Sequence, residues 1–485
     1  MKITRSVFWQ IVHSERSRSL LIRTAFILAV FTLVLAAATV AGAQTYTDLY
    51  DFDNTHGADP QAILAQGRDG NLYGTTYNGG TKGAGEVFQI TPSGSLTVLH
   101  NFDGGINGGY PQSGLTLGTD GNFYGTTYYG GANNYYGTIF KITPRGKLTT
   151  LYSFTGGSDG TQPMAPPIQG TDGSFYGATG GPNSLAPGTV YKISSLGAFT
   201  LLAQLEDAYG AHSHASLLQA TDGLFYGTTY DGGCYCTDSN GQIFTVTGTG
   251  VLTFIYNFDV THGAKADAPL IQGNDGNFYG TAYAGGSHDR GVVFELTPSG
   301  AVTVLHNFGD LPHDGYGPEA GLAQATDGNF YGATHSGGTG GCSGGCGVIF
   351  QITAAGDYSI LYNFDGAHGE YPTSTPMQHT NGKIYGLASA GGTSDDGVVY
   401  SFDMGLGPFA SLVSTTAKVG KTIEVLGQGL TGTTGVSFNG TAATFTVVSD
   451  SYLKTTVPSG ATTGFVTVTT PSGTLTSNRE FRVKP

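Results

Sequence analysis

Charged residues are scarce in this sequence, making up 11% of its 485 residues. A disordered chain would carry many charges and few aromatic residues, whereas this one contains 28 Tyr and 27 Phe. Its 80 glycines show no three-residue period, which excludes a collagen-like structure. Gly-x-Ser-x-Gly, phosphate-loop, His-Glu-x-x-His and EF-hand patterns are absent. The composition therefore predicts a folded all-β chain without a recognisable catalytic motif.

Long hydrophobic runs are also rare, and the one that occurs is near the N-terminus. "TAFILAVFTLVLAAATVAG" begins at Thr24, follows several basic residues and ends in the small-residue pattern Ala41-Gly42-Ala43. This pattern predicts a signal peptide over residues 1–43, cleaved after Ala43. An uncleaved membrane anchor is the alternative, because the run is long for a signal peptide and short for a membrane span. We expect a secreted or cell-surface protein whose membrane contact is limited to the export signal.

Basic residues and tryptophan become scarcer still once the leader is removed. Trp9, the single tryptophan, lies in the leader. The remaining chain holds 15 Lys/Arg and 33 Asp/Glu, a net charge of −18. Such a surface repels phosphate backbones, which argues against nucleic acid as a partner.

The chain has four cysteines, in two tight pairs, Cys234 with Cys236 and Cys342 with Cys346. An exported chain meets oxidising conditions, so the sequence predicts two local disulfides. If one pair stays reduced, we expect it to be Cys234 and Cys236, because a Cys-x-Cys bridge closes a small, strained ring. A metal site is the alternative, although the two pairs lie two repeats apart. We predict no metal and no cofactor.

A repeated phrase dominates the rest of the sequence. The hexapeptide of "TDGNFYGTTYYGG" recurs in seven copies, separated by 50 to 54 residues. The copies begin at Asp69, Asp120, Asp172, Asp222, Asp275, Asp327 and, in altered form, Asn381. Four short strands per copy, as in 63–66, 71–77, 86–91 and 96–102, are typical of a β-propeller blade.

The two ends of the repeated region complement each other. The last copy lacks a fourth strand, and the mature chain begins with "TYTDLYDFD", which matches the fourth strands of the other copies. The sequence therefore predicts a seven-bladed propeller over residues 45–404, closed by its N-terminal strand. An open solenoid would require end caps. The recurrent tyrosine and glycine of the phrase are interpreted as packing positions between blades.

The composition changes after Met404, where threonine and valine replace tyrosine. Short alternating strands and the Asn439-Gly440 hairpin signal predict a small β-sandwich over residues 408–485. "VGKTIEVLGQGL", "VSFNGTAATF" and the closing "FRV" resemble the IPT/TIG family of immunoglobulin-like domains. The resemblance implies a spacer or adhesion module.

The repeats themselves resemble a bacterial family. "DGNFYGTTYYGG" followed by "GTIFKITPRGKLTTLYSF" is similar to the GloVer tandem repeats of exported proteins over residues 45–404. This resemblance implies export and repetition, but no settled activity.

Two groups of residues are candidates for ligand binding at one end of the propeller. The loops that cross between blades carry histidines and acids, namely His56, His262, His313, His368, Asp267 and Asp314, with His212 and His214 in a further loop. The loops after the second strands carry tyrosines, namely Tyr77, Tyr128, Tyr230 and Tyr283. Imidazoles and carboxylates would suit acid–base or metal chemistry, and tyrosine rings would stack on sugars. Turn residues copied with the repeat, and space-filling between blades, are the alternatives.

These features lead us to expect an exported, non-enzymatic binding or adhesion protein that contacts a glycan or protein with its propeller rim. The alternative is a secreted carbohydrate-active enzyme, either a glycosidase or a lyase. Its catalytic carboxylates would be far apart in the sequence and would come together only in the folded protein. An enzyme requires one asymmetric cleft with perturbed acids, whereas a binder can distribute equivalent loops around the ring.

Overall fold

The computed structural model of the chain describes residues 44–133, 135–181, 187–205, 212–232 and 240–484. In these residues the regular structure is entirely β, as the composition predicts. The predicted signal peptide, residues 1–43, lies outside the described residues. Within the part of the chain that the structure describes, no helix has the length and apolar character needed to cross a membrane.

Seven four-stranded antiparallel sheets follow one another along residues 45–403, and we number them by repeat. Sheet 1 consists of Ala65–Gln66, Leu72–Thr76, Glu86–Ile90 and Leu96–Asn101. Sheet 2 consists of Thr116–Leu117, Phe123–Thr127, Thr138–Ile142 and Leu148–Ser153. Sheet 3 consists of Ile168–Gln169, Phe175–Thr179, Thr189–Ile193 and Phe199–Gln204. Sheet 4 consists of Leu218–Gln219, Phe225–Thr229, Gln242–Val246 and Leu252–Asn257.

The remaining three sheets repeat the same order. Sheet 5 consists of Ile271–Gln272, Phe278–Ala282, Val292–Leu296 and Val302–Asn307. Sheet 6 consists of Ala323–Gln324, Phe330–Thr334, Val348–Ile352 and Tyr358–Asn363, and beside it Gly315–Tyr316 pairs with Ser336–Gly337. Sheet 7 consists of Met377–Gln378, Ile384–Ala388, Val398–Asp403 and the N-terminal strand Thr45–Asp51. The strand Thr45–Asp51 thus completes the last sheet, as expected, by antiparallel pairing of Thr45 with Asp403 through Asp51 with Val398.

The repeated phrase forms the second strand of each sheet, which is buried along its whole length. In five of the seven sheets its tyrosine packs against a phenylalanine of the next sheet, as in Tyr124 on Phe175, with ring centroids 3.7 Å apart. The buried Tyr124 hydroxyl donates a hydrogen bond to Asp120, 2.8 Å away, in the turn before the strand. These contacts confirm that the phrase serves packing, and they explain why aspartate and tyrosine recur four residues apart.

The glycine of the phrase is required by close packing within the sheet. A Cβ atom at Gly125 would lie 2.7 Å from the ring of Phe140 on the third strand and 2.9 Å from Leu115. Gly121 has a different role, because its φ of 81° belongs to the left-handed region that the two-residue turn requires.

Seven apolar clusters lie between neighbouring sheets. One of them joins Tyr385, Leu387 and Val399 of sheet 7 to Phe88 and Ile90 of sheet 1. The last and first repeats therefore share a buried core, in the same way as repeats adjacent in sequence.

Residues 411–484 form two further four-stranded sheets. One contains Ser411–Leu412, Thr422–Leu426, Tyr452–Thr456 and Phe445–Ser449, and the other contains Thr441–Ala443, Gly435–Phe438, Val466–Thr470 and Gly473–Thr476. A parallel pair, Thr416–Lys418 with Arg482–Lys484, accompanies them. Both sheets contribute to one apolar core that includes Val425 and Phe438. We call this region the C-terminal domain; it belongs to the same compact unit as the repeats, Thr45–Pro485.

Candidate functional site

The loops of each repeat emerge at two opposite ends. We call one the crossing-loop end: it contains the segment that enters each sheet and the loop after its second strand. In sheet 1 these two segments exchange backbone hydrogen bonds between Ala58 and Asn78, with N–O distances of 2.9 and 3.0 Å. This contact confirms the prediction that the two kinds of loop share an end. The other end, which we call the turn end, contains the short turns between the first and second and between the third and fourth strands.

The C-terminal domain packs on the turn end. The Arg68 guanidinium, in the first turn of sheet 1, donates two hydrogen bonds to Glu424, at 2.5 and 3.0 Å. The same guanidinium lies 5.0 Å from the ring centre of Tyr452, whose hydroxyl also donates to Glu424. Ser451 donates to the backbone oxygen of Arg68 at 2.8 Å. The domain is therefore fixed to the first repeat by specific polar contacts.

The same interface includes the last repeat. The hydroxyl of Thr380, in the turn of sheet 7, accepts hydrogen bonds from Gln428 of the C-terminal domain (2.9 Å) and from Gln66 of sheet 1 (2.7 Å). The Thr380 amide donates to the side-chain oxygen of Gln66. Sheets 7 and 1 and the C-terminal domain thus meet at one residue, Thr380.

Three of the predicted histidines lie in local turns. His56, His262 and His368 are at least partly exposed, and each places its Nδ1 within hydrogen-bonding distance of the aspartate three residues earlier (3.0, 2.9 and 2.9 Å). The same aspartates accept a hydrogen bond from the histidine backbone amide. These Asp-x-x-His turns keep each histidine with its own loop, so the structure does not bring the three imidazoles together.

The other predicted polar residues are placed differently. His313 is exposed and has a φ of 60°. Asp314 is buried: it accepts a hydrogen bond from the Gly309 amide, and His306 lies 3.0 Å away. Burial raises the pKa of Asp314, but the hydrogen bond and charge of His306, together with the hydrogen bond from the Gly309 amide, lower it by more. The net result is a lowered pKa.

Cys342 and Cys346 form the predicted disulfide, and the Glu370 carboxylate lies 3.0 Å from the sulfur of Cys342. Cys234 and Cys236 lie outside the described residues.

Tyr77 and Tyr128 belong to a cluster formed by sheets 1 and 2, which we call the tyrosine cluster: Tyr77, Tyr110, Tyr128 and Tyr129. The Tyr110 ring lies 5.5 Å from that of Tyr77 and 5.8 Å from that of Tyr129, and Tyr128 contacts Tyr129 edge-on at 4.5 Å. All four side chains are half-buried, so part of each ring faces solvent. Tyr110 and Tyr129 were not predicted, although Tyr129 directly follows Tyr128.

Tyr230 and Tyr283 belong to a second group, which we call the mixed cluster: His214, Tyr230, Asp267, Tyr283 and Glu319. The Nδ1 atom of His214 lies 2.7 Å from the Asp267 carboxylate, and its ring stacks on Tyr230 at 5.3 Å. Sheets 4, 5 and 6 contribute these residues, so the group breaks the symmetry of the repeats.

The polar members of the mixed cluster occupy one equivalent position in successive repeats. Across the seven repeats this position holds Gln61, Gln112, Met164, His214, Asp267, Glu319 and Thr373. Two pairs of neighbouring members touch: Gln112 donates a hydrogen bond to Gln61 at 3.5 Å, and His214 pairs with Asp267. Glu319 was missed by sequence reasoning, and alignment of the repeats at this position would have identified it.

Glu319 has the most perturbed acid–base equilibrium of the mixed cluster. Burial, reinforced by the charge of Asp267, raises its pKa to about 7. Among the described residues no side chain or backbone group forms a hydrogen bond or ion pair with its carboxylate. Two cations lie over aromatic rings nearby: Lys265 is 5.3 Å from the ring centre of Tyr230, within the mixed cluster, and Arg290 is 5.4 Å from that of Tyr316. The mixed cluster therefore contains a carboxyl group without a partner.

Sequence comparison gives one family match. The model of the Gloeobacter/Verrucomicrobia repeat matches residues 30–239 and, again, residues 236–448. No protein of curated function matches the chain in sequence.

Solved structures resemble the chain only weakly. A fungal alcohol oxidase of the AA5 family, in complex with copper, is 13% identical, with 91% of this chain and 99% of that chain covered and a TM-score of 0.49. PorZ, a surface component of the type-IX secretion system of Porphyromonas gingivalis, is also 13% identical; the match spans 90% of this chain but 60% of PorZ, with a TM-score of 0.47. A gluconolactonase from Xanthomonas campestris is 10% identical over 75% of this chain and 90% of that chain, with a TM-score of 0.38. Similarities this weak carry no inference about activity.

Proposed function

The chain belongs to the Gloeobacter/Verrucomicrobia repeat family, and we propose that its repeats close into a seven-bladed β-propeller carrying an Ig-like domain of the IPT/TIG type. The seven four-stranded sheets, and the apolar cluster shared by sheets 7 and 1, support the closed ring. The pairing of the N-terminal strand with the last sheet supports it as well. Two sheets around one core support the Ig-like assignment.

We further propose an exported, non-enzymatic binding or adhesion protein whose crossing-loop end contacts a glycan. The observation that carries this function is the contrast between the ends: the turn end holds the C-terminal domain, and the crossing-loop end presents half-buried tyrosines. Export rests on the leader sequence, residues 1–43. A protein ligand at the same end is the second possible partner.

Tyrosine suits this role because its ring provides an apolar face and its hydroxyl provides a hydrogen bond. In the tyrosine cluster, edge-on contacts between the rings fix their orientation before a ligand arrives. A fixed aromatic surface binds a sugar ring with little loss of side-chain entropy. The cluster therefore has the properties of a preformed stacking surface.

A glycan array followed by affinity measurements on the best ligand tests the proposal. We expect Tyr128→Ala to weaken binding about tenfold, because an aromatic contact contributes on the order of 1 kcal/mol. Phe465→Ala is the matched control: this aromatic side chain is 39% exposed on the C-terminal domain. Equal affinity of the Tyr128→Ala variant and the unaltered protein would contradict the assignment.

The second candidate function, a secreted glycosidase or lyase, is favoured by one observation. The His214–Asp267 pair and Glu319, with its pKa raised to about 7, offer a general base and a general acid in one cluster. A polysaccharide-degradation screen tests this function. Turnover that disappears in Glu319→Gln and Asp267→Asn would replace the binding proposal with an enzymatic one.

A further inference from the structure

The C-terminal domain carries the opposite charge to the repeats. Residues 408–485 contain six Lys/Arg and three Asp/Glu, a net charge of +3. Residues 44–407 contain nine Lys/Arg and 30 Asp/Glu, a net charge of −21. The two parts of the chain are therefore electrostatically complementary, so separate copies attract one another when unlike parts meet.

The domain has one end in contact with the repeats and one end free. Gln428 and Ser451 contact the repeats. They flank one end of the paired strands Thr422–Leu426 and Tyr452–Thr456. The turn of residues 418–421 leads into the first of these strands from the opposite end, which we call the free end.

Three lysines converge at the free end. Lys418 and Lys484 are paired neighbours in two parallel strands, and the Lys421 amide donates to the backbone oxygen of Lys418 at 3.2 Å. In the part of the chain that the structure describes, the ion pairs of Lys and Arg with acids involve none of these three. Like charges side by side repel one another, and an anionic partner relieves that repulsion.

A groove at the free end gives this partner a surface. Lys418, Lys484, Thr462 and Thr463 line it together with Val419, which is 47% exposed. Its described lining contains no aromatic side chain. Ammonium and hydroxyl groups around an apolar residue suit an acidic protein loop better than a stacked sugar ring.

Acidic loops of this kind lie at the crossing-loop end of sheets 7 and 1. The segments that enter these sheets, residues 364–376 and 52–64, contain no Lys or Arg, and neither does the loop of residues 389–397 after the second strand of sheet 7. These segments, which we call the acidic rim, hold six acids, namely Asp53, Asp59, Asp365, Glu370, Asp395 and Asp396.

The acidic rim is one continuous surface. The Asp59 amide donates to the backbone oxygen of Asp396 at 2.9 Å, which joins the entry of sheet 1 to the loop of sheet 7. Asp53 and Asp365 each lie at ion-pair distance from a histidine of the same turn. Within the described residues, none of the six acids has a Lys or Arg at that distance. The rim therefore offers carboxylates to a cationic partner.

We propose that the chain assembles head to tail, with the free end of one copy docked on the acidic rim of the next. A second copy is the partner because the same chain supplies both complementary surfaces. The two surfaces differ, so the contact leaves one of each unfilled in a dimer, and further copies add in a row. This inference goes beyond the proposed glycan binding and does not involve the tyrosine cluster.

Sedimentation velocity of the protein without its leader tests the inference. At about 20 mM salt, where exposed charges act over roughly 20 Å, dimers and longer rows should increase with protein concentration. At about 500 mM salt the association constant should fall at least about tenfold. Monomers alone at low salt, or association that salt does not change, would overturn the inference.

Charge reversal on each surface locates the contact. Lys418→Glu with Lys484→Glu should weaken association at least about tenfold, and so should Glu370→Lys with Asp396→Lys, because each places like charges in contact. An equimolar mixture of the two variants should restore association, since the new glutamates of one copy meet the new lysines of the next. A mixture that associates no better than either variant alone would contradict the head-to-tail arrangement.

A control separates the free end from general charge attraction. Arg145→Glu with Lys147→Glu makes the same change in net charge at exposed positions of sheet 2 and should associate as the unaltered protein does. Equal weakening in this control would contradict the assignment. Monomers at low salt that bind polygalacturonate through Lys418 and Lys484 would assign the free end to a foreign polyanion and overturn self-assembly. Thermal unfolding establishes that every variant is folded.

Discussion

At the turn end, six of the seven repeats keep an aspartate that accepts a hydrogen bond from the tyrosine hydroxyl four residues later. At the crossing-loop end, the equivalent position of successive repeats changes from glutamine to methionine, histidine, aspartate, glutamate and threonine. A hydrogen bond that supports each sheet requires the same two groups in every copy. The crossing-loop position carries no such requirement, and its residue type differs between most of the repeats.

The exception at the turn end is equally informative. The last repeat replaces the aspartate with Asn381, whose amide donates to the Tyr385 hydroxyl, and places Thr380 against the C-terminal domain. Sheet 1 also contacts the C-terminal domain, through Arg68, yet it keeps its aspartate, Asp69.

The largest expected effect concerns the glycine of the repeated phrase. Gly125→Val should lower the free energy of unfolding by about 3 kcal/mol, because its Cβ would overlap the Phe140 ring. Gly180→Val, at the crossing-loop end of sheet 3, should change it by less than about 0.5 kcal/mol, since the nearest atom to its Cβ is 3.9 Å away. Urea denaturation measures both. Similar losses would show that the second strand is packed no more tightly than the loop that follows it.

Glu86 should give a pH-dependent effect at the crossing-loop end. It is buried and both carboxylate oxygens lack partners among the described residues, and burial raises its pKa to about 7. The folded state therefore binds the proton more tightly than the unfolded state, so stability is full below about pH 4.5 and declines as the pH rises to 7. Glu86→Gln should add about 2 kcal/mol at pH 8 and little at pH 4.5. Denaturation at the two pH values tests this, and an equal gain at both would contradict it.

Arg68→Ala should loosen the C-terminal domain. The Arg68–Glu424 pair is largely buried, with side-chain exposures of 25% and 12%, and its loss should cost about 1.5 kcal/mol. Lys192→Ala, which breaks the more exposed Lys192–Asp172 pair in sheet 3, should cost less than about 0.5 kcal/mol. Limited proteolysis near residues 405–407 should accelerate only in Arg68→Ala. Unchanged cleavage would show that these contacts do not hold the domain.

The smallest effect compares two tyrosine hydroxyls of the same repeat. Tyr124→Phe should cost about 1 kcal/mol, because it leaves Asp120 without a hydrogen bond from a buried donor. Tyr128→Phe, at the crossing-loop end, should leave stability unchanged and affect only ligand binding. Thermal unfolding of the two variants measures the difference, and a larger loss for Tyr128→Phe would reverse the proposed roles of the ends.

The candidate site was predictable in part. Tyr77, Tyr128, Tyr230, Tyr283 and Asp267 were identified because repeat spacing assigns them to loops of one end. Glu319 was not, although alignment of the repeats places it at the position that Asp267 occupies in the preceding repeat. Glu319 is a candidate because its carboxylate interacts electrostatically with Asp267 of the preceding repeat and with Tyr283. These residues come together only when successive sheets pack side by side.

The sequence alone determined the strand order of every repeat, since turn residues and buried aromatics act over a few residues. It also determined that the N-terminal strand belongs with the last repeat, because matching strands carry matching side-chain patterns. The tertiary structure alone decided that the C-terminal domain docks on sheets 1 and 7. That contact depends on Arg68 meeting Glu424, 356 residues away, and no local pattern encodes such a pairing. It likewise decided which acids have partners, because the partner of a buried charge is set by packing between repeats.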